Sequence, residues 1–295
     1  MENLPSFDKL KDIVTDFDLS QYLDRRLVSV LALYGVAKVG YEALAVPSYG
    51  FWAHYVRPRM NLKKRFEGAD WVVVTGASDG IGEALCHQFA KSGFNVVLVS
   101  RTQSKLDKVA KEVRELHGVQ TVVVQTDFAN LKTPEDAEAL TRLMREKTKG
   151  LSVGILANNV GVLEFGAYHN TPLEKMFASF AVNIAAQSVM THIFTSKWQE
   201  ERKGKRCLVI DYSSVVGRKP MGGAPLYCGE KSYNAALSRS LGMQYANQYK
   251  ADPVNKPNIE FMQVYPNSVK SGHMNPRGRL LFTVSSEAHA KAVVD

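Results

Sequence analysis

From Trp71 to Val264 the chain repeats one theme, a short run rich in β-branched residues followed by a longer helical stretch. The runs are Trp71–Thr75, Asn95–Val99, Thr121–Gln125, Val153–Ala157, Arg206–Asp211 and Ile259–Val264. Helical patterns fill roughly 81–92, 104–117, 134–149, 173–200 and 225–250 between them. Strands separated by helices pair in parallel, and the crossover helices pack on both faces of the sheet they form. The expected fold class is therefore α/β, a doubly wound parallel sheet. At 295 residues, 45% hydrophobic and 22% charged, the composition is ordinary for a globular protein. It excludes a disordered, collagen-like or mucin-like chain.

The first run leads straight into Gly76-Ala77-Ser78-Asp79-Gly80-Ile81-Gly82, and a helix follows. Glycines are needed where a chain turns sharply, where backbone approaches a pyrophosphate, and where a helix packs closely on a strand. The helix start adds free N–H groups and the positive end of its dipole. Thr75, Gly76, Ser78, Asp79, Gly80, Ile81 and Gly82 are therefore candidate dinucleotide contacts. An acidic residue after the second run would bind the adenosine ribose diol. Ser100 and Arg101 stand there instead, a hydroxyl and a cation suited to a 2′-phosphate and so to NADP(H). A solvated surface arginine is the plainer alternative, and Asp79 sets a negative charge nearby. Asp127, after the third run, either accepts from the adenine amine or forms a turn.

Tyr227 and Lys231 are four residues apart and share one face of the helix that starts near 225. A free tyrosine, with a pKa of about 10, is a poor acid or base at neutral pH. An ammonium beside it, joined by the positive ring of an oxidised nicotinamide, would favour the phenolate. Such a pair often arises by chance. This one follows the fifth run, whose carboxyl end carries Ser213 and Ser214, and active sites of open α/β sheets lie at those ends.

Thr75-Gly76-x-x-x-Gly80-x-Gly82, Asn158-Asn159-Val160-Gly161, Asn183, Ser214, Tyr227 and Lys231 together resemble the short-chain dehydrogenase/reductase family, over roughly residues 70–290. Upstream, Tyr55-Val56-Arg57-Pro58-Arg59, a short basic linker and Trp71 to Gly76 are similar to one group within it. That group holds the very-long-chain 3-oxoacyl-CoA reductases and the 17β-hydroxysteroid dehydrogenases type 12 and type 3. Val160 and Ser100-Arg101 fit the same group. The resemblance implies a Rossmann-like sheet of order 3-2-1-4-5-6. The family's final edge strand is not expected within these residues, since Asp295 falls inside an apparent helix, so the chain is either a fragment or completes the sheet edge otherwise. It implies that Tyr227 donates the proton in reduction and that Lys231 lowers its pKa and binds the nicotinamide ribose. Ser214 would hold the substrate carbonyl, and Asn183 a water in a proton relay. Asn158 would close the site beneath the cofactor, with Pro266 and Val269 bordering it.

The implied activity is NADPH-dependent reduction of a ketone on a lipid, either 3-oxoacyl-CoA in fatty-acid elongation or a steroid or retinoid. A scaffold that binds cofactor without turnover is the alternative from another class. The implied setting is the endoplasmic reticulum membrane, with the catalytic domain facing the cytosol as a homodimer or homotetramer. Two departures stand out. Asn267 lies where the family often has glycine, and asparagine tolerates left-handed backbone better than most residues. Glu230 stands beside Lys231 where a small residue is usual, and either competes for the lysine or faces outward.

Residues 1–67 read as a separate N-terminal segment and 68–295 as the NADP-binding domain. The segment opens acidic, turns apolar from Leu27 to Val56, and closes with Arg57, Arg59, Lys63, Lys64 and Arg65. Leu27–Val46 has the length of a bilayer span, interrupted by Lys38 and Glu42, which are spaced to pair on a helix. A membrane span, an interfacial anchor and a helix packed on the protein itself all fit. The acidic stretch before it is unlike a signal peptide. The net charge of +8, with cations beside an apolar run, points to a membrane surface rather than nucleic acid. Cys86, Cys207 and Cys228 are too scattered for a disulfide scaffold and read as reduced thiols. The histidines show no metal-ligand spacing, so no metal is expected. Residues 265–285 read as a substrate lid in which Lys270, Arg277 and Arg279 face either a CoA phosphate or solvent.

Overall fold

Six parallel strands build the expected sheet: β1 (Trp71–Thr75), β2 (Asn95–Ser100), β3 (Thr121–Gln125), β4 (Val153–Asn158), β5 (Arg206–Tyr212) and β6 (Asn258–Val264). This computed structural model describes residues 24–51, 60–270 and 284–295. The chain divides into two compact units, Met1–Arg59 and Met60–Asp295. The strand order is β3-β2-β1-β4-β5-β6, and each expected strand appears with its ends displaced by no more than one residue. The chain runs outward from β1 in one direction and resumes at β4 in the other, which opens a crevice at the carboxyl ends of those two strands.

The helices are α1 (Arg25–Phe51), α2 (Leu62–Arg65), α3 (Gly80–Lys91), α4 (Gln103–His117), α5 (Pro134–Lys147), α6 (Leu173–Phe180), α7 (Ala186–Glu201), α8 (Pro225–Ala251) and α9 (Ser286–Val294). Val72, Val74, Val96 and Leu98 point to one face, into a core with Leu85 and Phe89 of α3, Leu106 of α4 and Val294 of α9. Val73, Val97, Leu156 and Val209 point to the other, against Met144 of α5 and Phe194 and Trp198 of α7. Burial on both faces is why β1 and β4 read as unbroken apolar runs, while β3 at the edge is only half-buried. Local signals fix the helix ends. Thr133 and Asp136 cap α5 reciprocally, with Pro134 in its first turn.

The single helix expected over 173–200 is three pieces, because a π-helical turn, Ala181–Ala185, separates α6 from α7. It carries Asn183, and such turns are common at functional sites. A separate pair of short parallel strands, β7 (Val269–Lys270) and β8 (Val284–Ser285), stands apart from the main sheet. Part of the expected basic linker packs into the second unit. Phe66 is buried in its core, Lys63 pairs with Asp70 at 2.8 Å, and Arg65 pairs with Glu260 at 2.6 Å. In the N-terminal unit, Arg26–Ala45 is 20 residues of mean hydropathy 1.4 with none of it buried. Its apolar side chains ring the helix instead of gathering on one side. Glu42's side chain, and hence its pairing with Lys38, lies outside the described residues.

Candidate active site

Gly76 holds the left-handed backbone, φ 67°, at the sharp turn out of β1. At Gly82 a Cβ would sit 2.1 Å from the Gly76 carbonyl oxygen and 2.6 Å from Asn159 Nδ2, so only hydrogen fits. Asn159 Nδ2 donates to Thr75 O at 3.0 Å, and Thr75 Oγ1 accepts from the N–H groups of Asn159 and Val160 at 3.0 and 3.1 Å. The turn is thus stitched to the loop after β4. Asp79 stands at the N-cap of α3 without capping it; its carboxylate pairs with Lys105 of α4 at 3.2 Å. The first-turn N–H groups therefore have no side-chain cap and the dipole end stays positive, as a pyrophosphate requires. Ser78 and Ser100 join hydroxyls at 2.8 Å beside the exposed Arg101. A cradle that a Cβ would fill, an uncapped helix start and two cations fit a phosphorylated dinucleotide.

Two serines leave β5 in different directions. Ser213 Oγ donates to Lys231 O at 2.7 Å and is buried against α8. Ser214 Oγ donates to Pro266 O and accepts from Val216 N, each at 3.4 Å, and the Ser214 hydroxyl favours the ionised form of Tyr227. The turn Val215–Gly217 presses directly on α8, since a Cβ at Gly217 would meet Lys231 backbone at 2.8 Å. On α8 the Lys231 Nζ sits 5.5 Å from the Tyr227 ring centre and donates to Tyr212 O at 2.9 Å. Lys231 Nζ and Asn183 Oδ1 converge over Gly161, where a Cβ would lie 3.3 and 3.1 Å from them.

Asn183 is buried and bonded to three elements. Its Oδ1 accepts from Val162 N at 2.9 Å, and its Nδ2 donates to Val162 O, Ser179 Oγ and Glu230 Oε2, the last at 2.6 Å. The side chain ties the loop after β4 to α8. Beneath, Asn158 Nδ2 donates to Thr191 Oγ1 and Asp211 Oδ1, both at 2.9 Å.

The charges oppose the expected effect of the lysine on the tyrosine. Burial pushes the Tyr227 phenol up to about 12, and the Glu230 carboxylate pushes the same way against the pull of Ser214. Burial draws Lys231 down to about 8, with Glu230 and Asp211 resisting. Asp211 is raised to about 6, again by burial first, although Asn158 and Lys231 favour its charged form. Burial also raises Glu230, against Ser179, Asn183 and Lys231. The Glu230 and Asp211 carboxylates thus both favour the charged form of the buried Lys231.

Asp127 caps the short turn Phe128–Asn130, accepting from Ala129 N at 3.0 Å. Pro266 O receives Val215 N at 3.2 Å, and Val269 is buried in β7. Asn267 does not adopt the left-handed backbone its residue type allows, since no non-glycine residue among those described has positive φ. Residues 271–283, with Arg277 and Arg279, and the side chain of Lys270 lie outside the described residues. Asn159 stands in the motif read from the sequence, whereas Asp211 and Lys105 carry no local sign there of belonging to the site. Each draws its meaning from a partner on another element. The same holds for Glu83, His87 and Glu112 on α3 and α4, whose ligand atoms lie within 4.8 Å of one another, with His87 Nδ1 already 3.1 Å from His117 Nε2.

Residues 70–279 match the family model for short chain dehydrogenase, and the chain belongs to that family. It is 31% identical over 222 residues to the human inactive hydroxysteroid dehydrogenase-like protein 1, covering 75% of this chain and 59% of that one. It is 36% identical over 189 residues to the very-long-chain 3-oxoacyl-CoA reductase of Podospora anserina, covering 63% and 53%. The chain thus spans little more than half the length of these relatives. Among solved structures, a short-chain dehydrogenase from Sphingobium yanoikuyae in complex with NADPH superposes with a TM-score of 0.63 at 23% identity, covering 76% of this chain and 82% of that one.

Proposed function

We propose that the chain is an NADPH-dependent reductase of a ketone on a lipid substrate, with 3-oxoacyl-CoA reduced to 3-hydroxyacyl-CoA as the preferred reading. The observation that carries this is the grouping of Ser214, Tyr227 and Lys231 at the carboxyl ends of β4 and β5, beside the glycine turn. A bound reduced nicotinamide would supply the hydride that the carbonyl carbon receives. Ser214 donates a hydrogen bond to the carbonyl oxygen as negative charge develops there. The Tyr227 O–H bond breaks and its proton passes to that oxygen, leaving a tyrosinate that the Lys231 ammonium stabilises. Arg101 supports the phosphorylated cofactor, and Lys105 offsets the Asp79 charge that would disfavour it.

The acyl-CoA preference rests on the fungal relative's name. A steroid ketone is the second reading, supported by the human relative's name. A silent scaffold is the third, supported by the buried Glu230 and by that same relative's description as inactive. We assign α1 to the endoplasmic reticulum membrane, with the catalytic unit in the cytosol. A homodimer or homotetramer would form through α7 and α8, where Tyr233 and Met243 are exposed. NADPH oxidation with a long 3-oxoacyl-CoA and a 17-ketosteroid, run side by side, separates the substrates. Tyr227→Phe should lower kcat about a thousandfold. An unchanged rate would leave only the scaffold.

A further inference from the structure

We propose that Glu83, His87 and Glu112 form a binding site for a zinc-class divalent cation, with His117 orienting the His87 ring. The site belongs to α3 and α4, not to the catalytic corner on β5 and α8, and it does not depend on the reductase reading. Glu83 and His87 are four residues apart on α3 and share one face of it. Glu112 and His117 come from α4, which Gly118, φ 67°, ends immediately after the histidine. Glu83, His87 and Glu112 each offer a ligand atom, and these atoms lie within 4.8 Å of one another. The side chains are half-buried. In a tetrahedral zinc site, bonds of about 2.0–2.1 Å set ligand atoms about 3.3 Å apart. The remaining closure of about 1.5 Å is within reach of glutamate rotamers and needs no helix to move.

The imidazoles set this cluster apart from an ordinary acidic patch. His87 Nδ1 faces His117 Nε2 at 3.1 Å, with the rings edge to face and their centres 5.4 Å apart. When Nδ1 donates there, Nε2 keeps the lone pair that a cation takes. Metal-bound imidazoles are commonly held in this way through their second nitrogen. The local charge also calls for a cation. Lys105 pairs with Asp79, and Lys108 with Glu112 at 3.9 Å, which leaves Glu83 without an ion-pair partner among the described residues. The Lys108 side chain is 74% exposed, so its hold on Glu112 is weak and readily displaced. One imidazole and two carboxylates, with a fourth position for water, suit Zn²⁺, whereas Mg²⁺ favours an octahedron of oxygens. The bound ion braces α3, whose first turn carries Glu83 and opens at the glycine turn, against α4.

Calorimetric titration of the full chain with Zn²⁺ alone, without cofactor or substrate, tests this. His87→Gln and Glu112→Gln should each weaken the tightest zinc binding at least about a hundredfold, and His117→Ala about tenfold, because the His87 ring loses its support. At about a hundredfold excess of Zn²⁺ over Kd, the melting midpoint of wild type should rise by about 5 °C and that of His87→Gln should stay unmoved. If His87→Gln fails to fold, the more exposed Glu112→Gln carries the same comparison. Mg²⁺ at the same concentration should give no response. A wild type that binds no Zn²⁺, or equal affinity in wild type and both ligand variants, overturns the proposal. So does an equal response to Mg²⁺, which would reduce the site to its carboxylates. A chain that binds Zn²⁺ as expected but reduces no ketone upholds the site and sinks the reductase reading alone.

Discussion

The two halves of the site are built from opposite materials. The glycine turn is held by hydrogen bonds among Thr75, Asn159 and Val160 and by the lack of side chains at Gly76 and Gly82. The catalytic corner buries Lys231, Glu230 and Asp211 together and leaves Glu230 Oε1, Asp211 Oδ2, Asn158 Oδ1 and Asn234 Oδ1 without partners. The first half works by shape and the second by charge. Substitutions in the first should therefore act through sterics at every pH, and those in the second through titration.

The largest effect belongs to shape. Gly82→Val places a branched side chain where the first carbon already lies 2.1 Å from the Gly76 carbonyl. The turn must move, and cofactor affinity should fall more than about a hundredfold, equally at acid and alkaline pH. Energy transfer from tryptophan to NADPH measures this, and a pH-dependent loss would break the contrast. A smaller effect is expected at the boundary between the halves. Arg101→Ala removes an exposed cation beside Ser78 and Ser100, and should weaken NADPH about tenfold while leaving NADH unchanged. An equal loss for both cofactors would remove Arg101 from any role at a 2′-phosphate.

This contrast also explains what the sequence made legible. Alternating β-runs and helices identify every strand of the sheet, because burial on both faces leaves a continuous apolar signature. The glycine turn is equally readable, because its geometry requires particular residues close together in sequence. The sign of the field at Tyr227 was not readable. It depends on Asp211 from β5 and Glu230 from α8 meeting around one ammonium, and on how deeply all three are buried. Lys105 was missed for the same reason, since its value lies in an Asp79 26 residues away. The π-turn was missed because its side-chain partners, Val162 and Glu230, lie on either side of it in sequence and far from it.

The charged half should reveal itself most gently through Asp211, in stability rather than turnover. Its carboxyl is raised to about 6 by burial, against about 4 in an unfolded chain. The folded state therefore binds this proton more tightly than the unfolded state does. The stabilisation is present in full below about pH 4 and is lost as pH rises through about 6. Two units at about 1.4 kcal/mol each bound the effect at about 3 kcal/mol. Asp211→Asn removes the titration while keeping an oxygen for Asn158 Nδ2. The stability of wild type relative to the variant should therefore decline between about pH 4 and 7, by a few degrees in melting midpoint. Urea unfolding at several pH values measures that difference directly. A parallel pair of stability curves would mean that Asp211 keeps its ordinary carboxylate pKa in the fold. The corner would then owe its charge balance to Glu230 alone.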